Sequence, residues 1–119
     1  MTMQIVSADD VIGVDVKNTN GESLGTIEAL MLDKLQGQVT YVVLAYGGFI
    51  GIGKKLFALP WKLFSYDQRN ECFIIPVDKQ TLEKSPGFDK DHWPDMSSQA
   101  WKKTMTDYYG SYLSNPHQH

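Results

Sequence analysis

The first two thirds of the chain consist of short apolar segments separated by turns that contain glycine, asparagine or proline. These segments are rich in β-branched residues, and no stretch between them is long enough for a substantial helix. Short strands at regular spacing are typical of an antiparallel barrel or sandwich. The predicted strands cover residues 14–17, 24–33, 39–46, 56–59, 63–66 and 72–77.

Glycines mark where this sheet turns and bends. Asn20-Gly21 predicts a tight hairpin in which both central residues have positive φ. Gly25 lies inside the returning strand and indicates a bulge or a bend there. Gln36-Gly37 marks the next turn.

The segment 39–46 is apolar on both faces of a strand. Val39, Val43 and Ala45 lie on one face, and Val42 and Leu44 lie on the other. Both faces should therefore be covered. In a barrel one face fills the interior, and the other needs a helix or a second subunit over it.

Helix signals follow residue 77. Asp78 can cap a short helix that Pro86-Gly87 stops. A final helix should run from about residue 97 to 113. Its predicted apolar stripe is Trp101, Met105, Tyr108 and Tyr112.

The terminal helix should dock on an apolar surface, because burying four such side chains is worth roughly 6–10 kcal/mol before opposing terms. That surface is either its own barrel or a neighbour's. We therefore predict a barrel over residues 1–77 and a helical extension over residues 78–119 that together form one structural unit.

The charge balance argues against several binding functions. The 119 residues carry a net charge of −3, and no run of Lys or Arg exceeds two residues. Proteins that bind nucleic acids or anionic membranes usually present larger basic clusters. No apolar run approaches the length of a membrane span, and no signal peptide is evident. We expect no direct contact with nucleic acid, no membrane span and a cytoplasmic location.

Cys72 is the only cysteine, so the fold does not depend on a disulfide. It lies in the apolar run 72–75, which favours a buried structural thiol over a reactive one.

The glycine-rich segment 47–55 partly matches a phosphate-binding loop. Gly48 to Lys54 fits the G-x-x-x-x-G-K frame, but Lys55 occupies the position of the Ser or Thr that binds magnesium. A strand, and not a helix, is predicted to follow. We therefore expect no nucleotide binding.

The same segment carries three large apolar side chains, Phe49, Ile50 and Ile52, at a loop where polar residues are the norm. We expect this loop to fold back onto its own barrel or to insert into another subunit. Lys54 and Lys55 would lie at the rim of that contact.

The connection that begins at Asp89 gathers potential metal ligands without a complete frame. A calcium loop starting there would need glycine where Pro94 stands. His92 is the only plausible catalytic base, and no serine lies in a nucleophile elbow. We expect Phe88 and Trp93 to anchor this connection on the barrel. The sequence predicts no enzyme activity, no catalytic residue, no cofactor and no required metal.

Several stretches, in this order, resemble the PRC-barrel family. They are GESLGTIE at 21–28, LD at 32–33, GQVTYVVL at 37–44 and YGGFIGIGKKLFALPW at 46–61. The similarity to the barrel covers about residues 6–77. PGFD at 86–89 and HWPD at 92–95 look like the extension of small stand-alone bacterial members.

The resemblance implies an adaptor. One member is the cytoplasmic barrel of the photosynthetic reaction centre H subunit, which packs on other subunits. Another is the C-terminal barrel of the ribosome maturation factor RimM, which contacts a ribosomal protein. The family shares no catalytic motif, so the resemblance implies a binding role. By analogy, accessory roles in photosynthetic electron transfer or in ribosome and RNA processing are alternatives.

Residues and resemblance together predict a mainly β protein, a small antiparallel PRC-type barrel with a C-terminal α-helical extension. We expect it to bind protein partners and to self-associate, with a dimer favoured. The alternative is a regulatory protein that binds a small ligand or a metal. The candidate interaction residues are Phe49, Ile50, Ile52, Lys54, Lys55, Tyr41, Tyr46, Trp101, Tyr108 and Tyr112.

Overall fold

The computed structural model describes residues 4–47 and 55–113. They form six strands, three α-helices and a single 3-10 turn at Trp61–Leu63. The strands are β1 (Asp15–Asn18), β2 (Ser23–Asp33), β3 (Gln38–Tyr46), β4 (Lys55–Pro60), β5 (Ser65–Asp67) and β6 (Cys72–Ile75). The helices are α1 (Ala8–Val11), α2 (Lys79–Lys84) and α3 (Gln99–Leu113). The mainly β fold with a C-terminal helix is therefore confirmed.

The strands form one mixed sheet in the order β4-β3-β2-β1-β6-β5. Four neighbouring pairs are antiparallel, but β1 and β6 run parallel, with Val16 opposite Phe73. The prediction of a wholly antiparallel sheet was wrong at this pair. Turn signals specify only strands that follow each other directly, whereas β6 reaches β1 after the chain has passed through four other strands.

The sheet is open in the part of the chain that the structure describes, because the terminal strands β4 and β5 do not pair with each other. A closed barrel is therefore not confirmed. Cys72 lies in β6 and is 2% exposed, which confirms the predicted buried thiol.

The β1–β2 hairpin is organised by the side chain of Asn18. Its Oδ1 accepts hydrogen bonds from the backbone N–H groups of Asn20 and Glu22, each at 3.0 Å. Gly21 has φ +83°, whereas Asn20 has negative φ. The hairpin is confirmed, but the two-residue turn with both central φ values positive is wrong. The Asn18 side chain satisfies the turn's N–H groups, so a longer loop becomes stable.

The predicted bulge at Gly25 is confirmed. The β1–β2 register passes from Val16 opposite Gly25 to Lys17 opposite Ser23, which leaves an extra residue in β2. Gly25 has φ +146°, and a Cβ there would lie 2.0 Å from the carbonyl oxygen of Ala45. Only glycine allows β2 to pass this close to β3.

Helix α3 packs on the sheet of its own chain. Trp101, Met105 and Tyr109 are buried, and Tyr109 is fully inaccessible. The predicted stripe was wrong at Tyr108, which is 42% exposed. The helix is rotated so that its buried face is centred nearer Met105 and Tyr109, which places Tyr108 at the margin.

The second half of β3 runs through the middle of the core, and Val42 to Tyr46 are buried without exception. This confirms that both faces of this part of the strand are covered. The first half of β3 is only half-buried. The sheet therefore has a closely packed end and a loosely covered end, and the loosely covered end positions the surface described next.

Candidate interaction surface

The β2–β3 hairpin is longer than the strands beside it. β1 pairs with β2 only as far as Thr26, and the last main-chain bonds join Ile27 to Gly13 and Val14 at 2.7 and 3.0 Å. On the other side, β4 pairs with β3 only as far as Tyr41. Residues 28–33 of β2 therefore lack a neighbour on the β1 side, and residues 32–40 extend beyond both neighbouring strands as a two-stranded ribbon. We call residues 28–40 the arm.

The arm carries a contiguous set of apolar side chains. Leu32 is 62% exposed and Leu35 is 93% exposed. Val39 lies opposite Leu32 in the register and is half-buried. Residues that oppose each other across two strands point to the same face. Leu32 and Val39 thus form an apolar pair on one face of the arm, and Leu35 lies at its tip.

The tip is held in place by the side chain of Asp33. Its Oδ1 accepts hydrogen bonds from the N–H groups of Leu35 and Gln36, both at 3.0 Å. Gly37 has φ +71° and completes the turn. Because the turn is fixed by these bonds, Leu35 is held on an ordered surface.

One edge of the arm lacks a main-chain partner within residues 4–47 and 55–113. In β2, residues 29–32 pair with β3 on one side, but no described hydrogen bond reaches them on the other. An exposed edge with apolar side chains is a template for pairing with another chain, and proteins usually shorten or cover such edges.

The two terminal strands of the sheet, β4 and β5, are either covered or short. The backbone of Phe88 bonds to that of Leu56 in β4, with distances of 2.8 and 2.9 Å. At the opposite end, β5 is only three residues long. The contrast makes the β2 edge the strongest candidate for association in the described structure.

The sequence-based candidates lie in four different parts of the chain. Phe49, Ile50, Ile52 and Lys54 lie outside the described residues. Lys55 begins β4, is half-buried, and holds its ammonium 5.5 Å from the ring centre of Phe57.

Tyr46 and Trp101 are 2% and 8% exposed, respectively, so the structure places them in the core of this chain and away from its surface. Tyr41 is half-buried, with its ring edge-on to Trp101 at 6.0 Å between centroids. The contact between Tyr41 and Trp101 attaches α3 to β3, so these side chains stabilise the chain itself.

The hydroxyl of Tyr46 donates a hydrogen bond to Glu83 in α2, at 2.5 Å. Burial, this hydrogen bond and the nearby charges of Glu83 and Glu22 raise the pKa of Tyr46 to about 12. The phenol therefore stays protonated and links β3 to α2. This role was not evident in the sequence, because nothing local relates residues 46 and 83.

Tyr108 and Tyr112 lie on α3. Tyr108 is exposed on its outer side, while Tyr112 is half-buried beside Tyr109, with 6.4 Å between their ring centroids. Of the described candidates, Tyr108 alone is exposed, with 42% of its surface accessible to solvent. Sequence reasoning missed Leu32 and Leu35, although an apolar residue at a hairpin tip is the same signal that singled out the glycine loop.

A small cleft adjoins Tyr46. Its volume is about 150 Å³, and its lining includes Ser23, Gly25, Gly47 and Lys79. Sites for drug-sized ligands are typically about 300–1,000 Å³. The cleft is therefore too small to favour the small-ligand alternative.

The connection at Asp89 is compact and largely exposed. Asp89 Oδ1 lies 2.7 Å from His92 Nδ1, and this hydrogen bond lowers the pKa of Asp89. Within residues 4–47 and 55–113 no group of three or more His, Cys, Asp or Glu side chains could hold a metal ion. Phe88 packs on the core, as expected, but Trp93 is 40% exposed and lies 5.2 Å from the Phe88 ring.

No helix among the described residues is long and apolar enough to cross a membrane. Comparison with family models matches residues 3–82 to the PRC-barrel domain. Comparison with curated proteins gives no match.

Proposed function

This chain belongs to the PRC-barrel domain family, and from that premise we propose that it is a non-enzymatic protein-interaction module whose arm is the binding surface. The observation that carries the proposal is the combination of exposed Leu32 and Leu35 with the unpaired edge of β2. Main-chain pairing gives affinity, and apolar side chains on alternate positions give specificity.

The magnitude of the exposed apolar surface supports association. Fully burying a leucine side chain is worth roughly 1.5–3 kcal/mol, and Leu32 and Leu35 are 62% and 93% exposed, so covering both would contribute about 2–5 kcal/mol before association costs. The charged residues Glu28, Asp33 and Lys34 lie close to these leucines along the chain. An apolar centre with a polar rim is the usual composition of an interface.

The N-terminal segment adds apolar surface at the base of the arm. Ile12 is 40% exposed and precedes Gly13, whose N–H bonds to Ile27 where the arm begins. Ile5 and Val6 are exposed in the same segment.

The absence of enzyme activity is part of the proposal. It is supported by the structural roles of the carboxylates that make hydrogen bonds. Asp78 caps α2 by accepting from the Thr81 N–H at 2.7 Å, and Asp67 closes the β5–β6 turn. We also propose a cytoplasmic location, which agrees with a fold that leaves Cys72 as a free thiol.

The test compares Leu32→Ser/Leu35→Ser with Tyr108→Ser, which changes an exposed apolar residue on a different surface. Each purified protein is immobilised, incubated with native lysate and with its own soluble form, and bound proteins are quantified. The arm variant should bind at least tenfold less of a specific protein, whereas the Tyr108 variant should bind as much as the unchanged chain. Equal binding by all three would refute the arm as the binding surface.

A further inference from the structure

We infer that the arm binds a second copy of this chain, with the free edges of two β2 strands pairing antiparallel about a two-fold axis at Met31. This inference rests on the proposed function and names its partner. Two-fold dimers bring the same surface of both chains together, and they are the commonest soluble oligomers. An edge strand meets this requirement because it can always pair antiparallel with its own copy.

The side chains on β2 favour one register. With Met31 on the axis, Leu30 lies opposite the partner's Leu32, so apolar residues pair with apolar residues. In the same register Glu28, at an irregularity of the β2–β3 pairing, lies across from the partner's Lys34, the first residue of the turn after β2. Both Glu28 and Lys34 are exposed in the single chain. Opposite charges across a strand pair are stabilising, and symmetry produces this pair twice.

Neighbouring registers lose this complementarity. An axis at Leu30 would place Glu28 opposite the partner's Leu32. An axis at Leu32 would place Leu30 opposite the partner's Lys34. An axis between Leu30 and Met31 would place Glu28 opposite the partner's Asp33, two like charges. Of these registers only the axis at Met31 brings Leu30 opposite Leu32 and Glu28 opposite Lys34.

The first experiment uses disulfide formation to locate the two-fold axis of the proposed dimer. Opposing residues of an antiparallel pair have Cα atoms about 4.5–5.5 Å apart, which lies within the range that a disulfide spans. Met31→Cys should therefore form a covalent dimer under mild oxidation. Native Cys72 is buried and common to all variants.

Gln38→Cys is the matched control. Gln38 is exposed and lies opposite Asp33 on the outer strand of the same arm. In the proposed dimer its two copies lie on the far sides of the paired strands, well beyond disulfide distance. We expect Met31→Cys to cross-link at least tenfold faster than Gln38→Cys. Equal rates, or a faster rate for Gln38→Cys, would overturn the axis.

The second experiment leaves Met31 unchanged and tests the charge pair. Glu28→Lys and Lys34→Glu each turn two attractive pairs into two repulsive ones, which should weaken self-association by about tenfold. The double variant restores the attraction, and an equimolar mixture of the two single variants should form heterodimers. Sedimentation across a concentration series measures each dissociation constant. Equal effects of the single and double variants would overturn the register.

Different experimental results would refute this inference and the proposed function. If the unchanged chain is monomeric at all concentrations but the Leu32→Ser/Leu35→Ser variant loses a captured protein, the second copy is refuted and the arm remains the binding surface. If that variant changes neither self-association nor capture, both proposals fail.

Discussion

Gly25 is the position where a single methyl group should damage this fold most. Its φ of +146° lies in a region that is essentially restricted to glycine. A Cβ there would also lie 2.0 Å from the Ala45 carbonyl oxygen, where real Cβ contacts essentially never fall below 3.0 Å. That oxygen belongs to the backbone of a buried strand and cannot move alone.

The cost of Gly25→Ala has two parts. The unfavourable backbone conformation costs about 1–3 kcal/mol. Relieving the clash requires β2 and β3 to separate near the pairs that Gly25 makes with Tyr46 and Thr26 makes with Ala45. Losing two such hydrogen bonds costs a further 1–3 kcal/mol or so. The expected loss is about 2–6 kcal/mol, a large share of the roughly 5–15 kcal/mol that stabilises a typical domain.

Urea denaturation followed by circular dichroism measures this loss, and Gly21→Ala is the control. Gly21 also has positive φ, but nothing lies within 4 Å of a Cβ placed there. Only backbone strain of about 1–2 kcal/mol applies at that position. If Gly25→Ala destabilises the protein no more than Gly21→Ala, the close approach of β2 and β3 is not as described.

Three further predictions concern helices and pH. Trp101→Ala should lower the free energy of unfolding by about 3–5 kcal/mol in thermal or urea melts, whereas Tyr108→Ala should change it by less than about 0.5 kcal/mol. Asp78→Ala removes the cap of α2 and should cost about 0.5–2 kcal/mol in the same measurement; no loss would mean that the cap contributes nothing. The folded pKa of Tyr46 is about 12 and its ordinary value is 10.0, so its contribution is complete below pH 10 and is lost as pH rises towards 12. The full pKa shift corresponds to a loss of about 2.7 kcal/mol in the free energy of unfolding. Because the adjacent cleft admits water, we expect urea melts between pH 9 and 12 to show about half of this loss. Tyr46→Phe should remove this pH dependence.

The sequence was informative wherever structure depends on neighbouring residues. The turn at Asn20-Gly21, the bulge at Gly25 and the cap at Asp78 follow from backbone freedom and local hydrogen bonding, and all were located correctly. The buried half of β3 was also evident, because a strand that is apolar on both faces must be covered.

Prediction was weaker where two distant segments meet. The parallel pair of β1 and β6 depends on the path of the whole chain, and no local signal specifies it. The exact buried face of α3 was also missed, since Tyr108 and Tyr109 are both aromatic and only contact with the sheet selects Tyr109. Aromatic composition therefore indicated that α3 docks but did not fix its rotation.

The arm follows from a difference in strand length. β2 has eleven residues, but its neighbour β1 has four, and β4 has six beside the nine of β3. The excess length of β2 and β3 must project beyond their neighbours, and a projecting strand has an edge that the chain's own sheet does not pair. If that edge were only a by-product of the fold, polar residues would serve best there, because they prevent unwanted pairing. Leu30 and Met31 pack partly against the core of the chain, but Leu32 on this edge is 62% exposed, and the three residues lie between an acid at residue 28 and a base at residue 34. The difference in length between β2 and β1 leaves an unpaired edge. The order of side chains along that edge makes it complementary to a second copy of itself. These two independent features both support association through the arm.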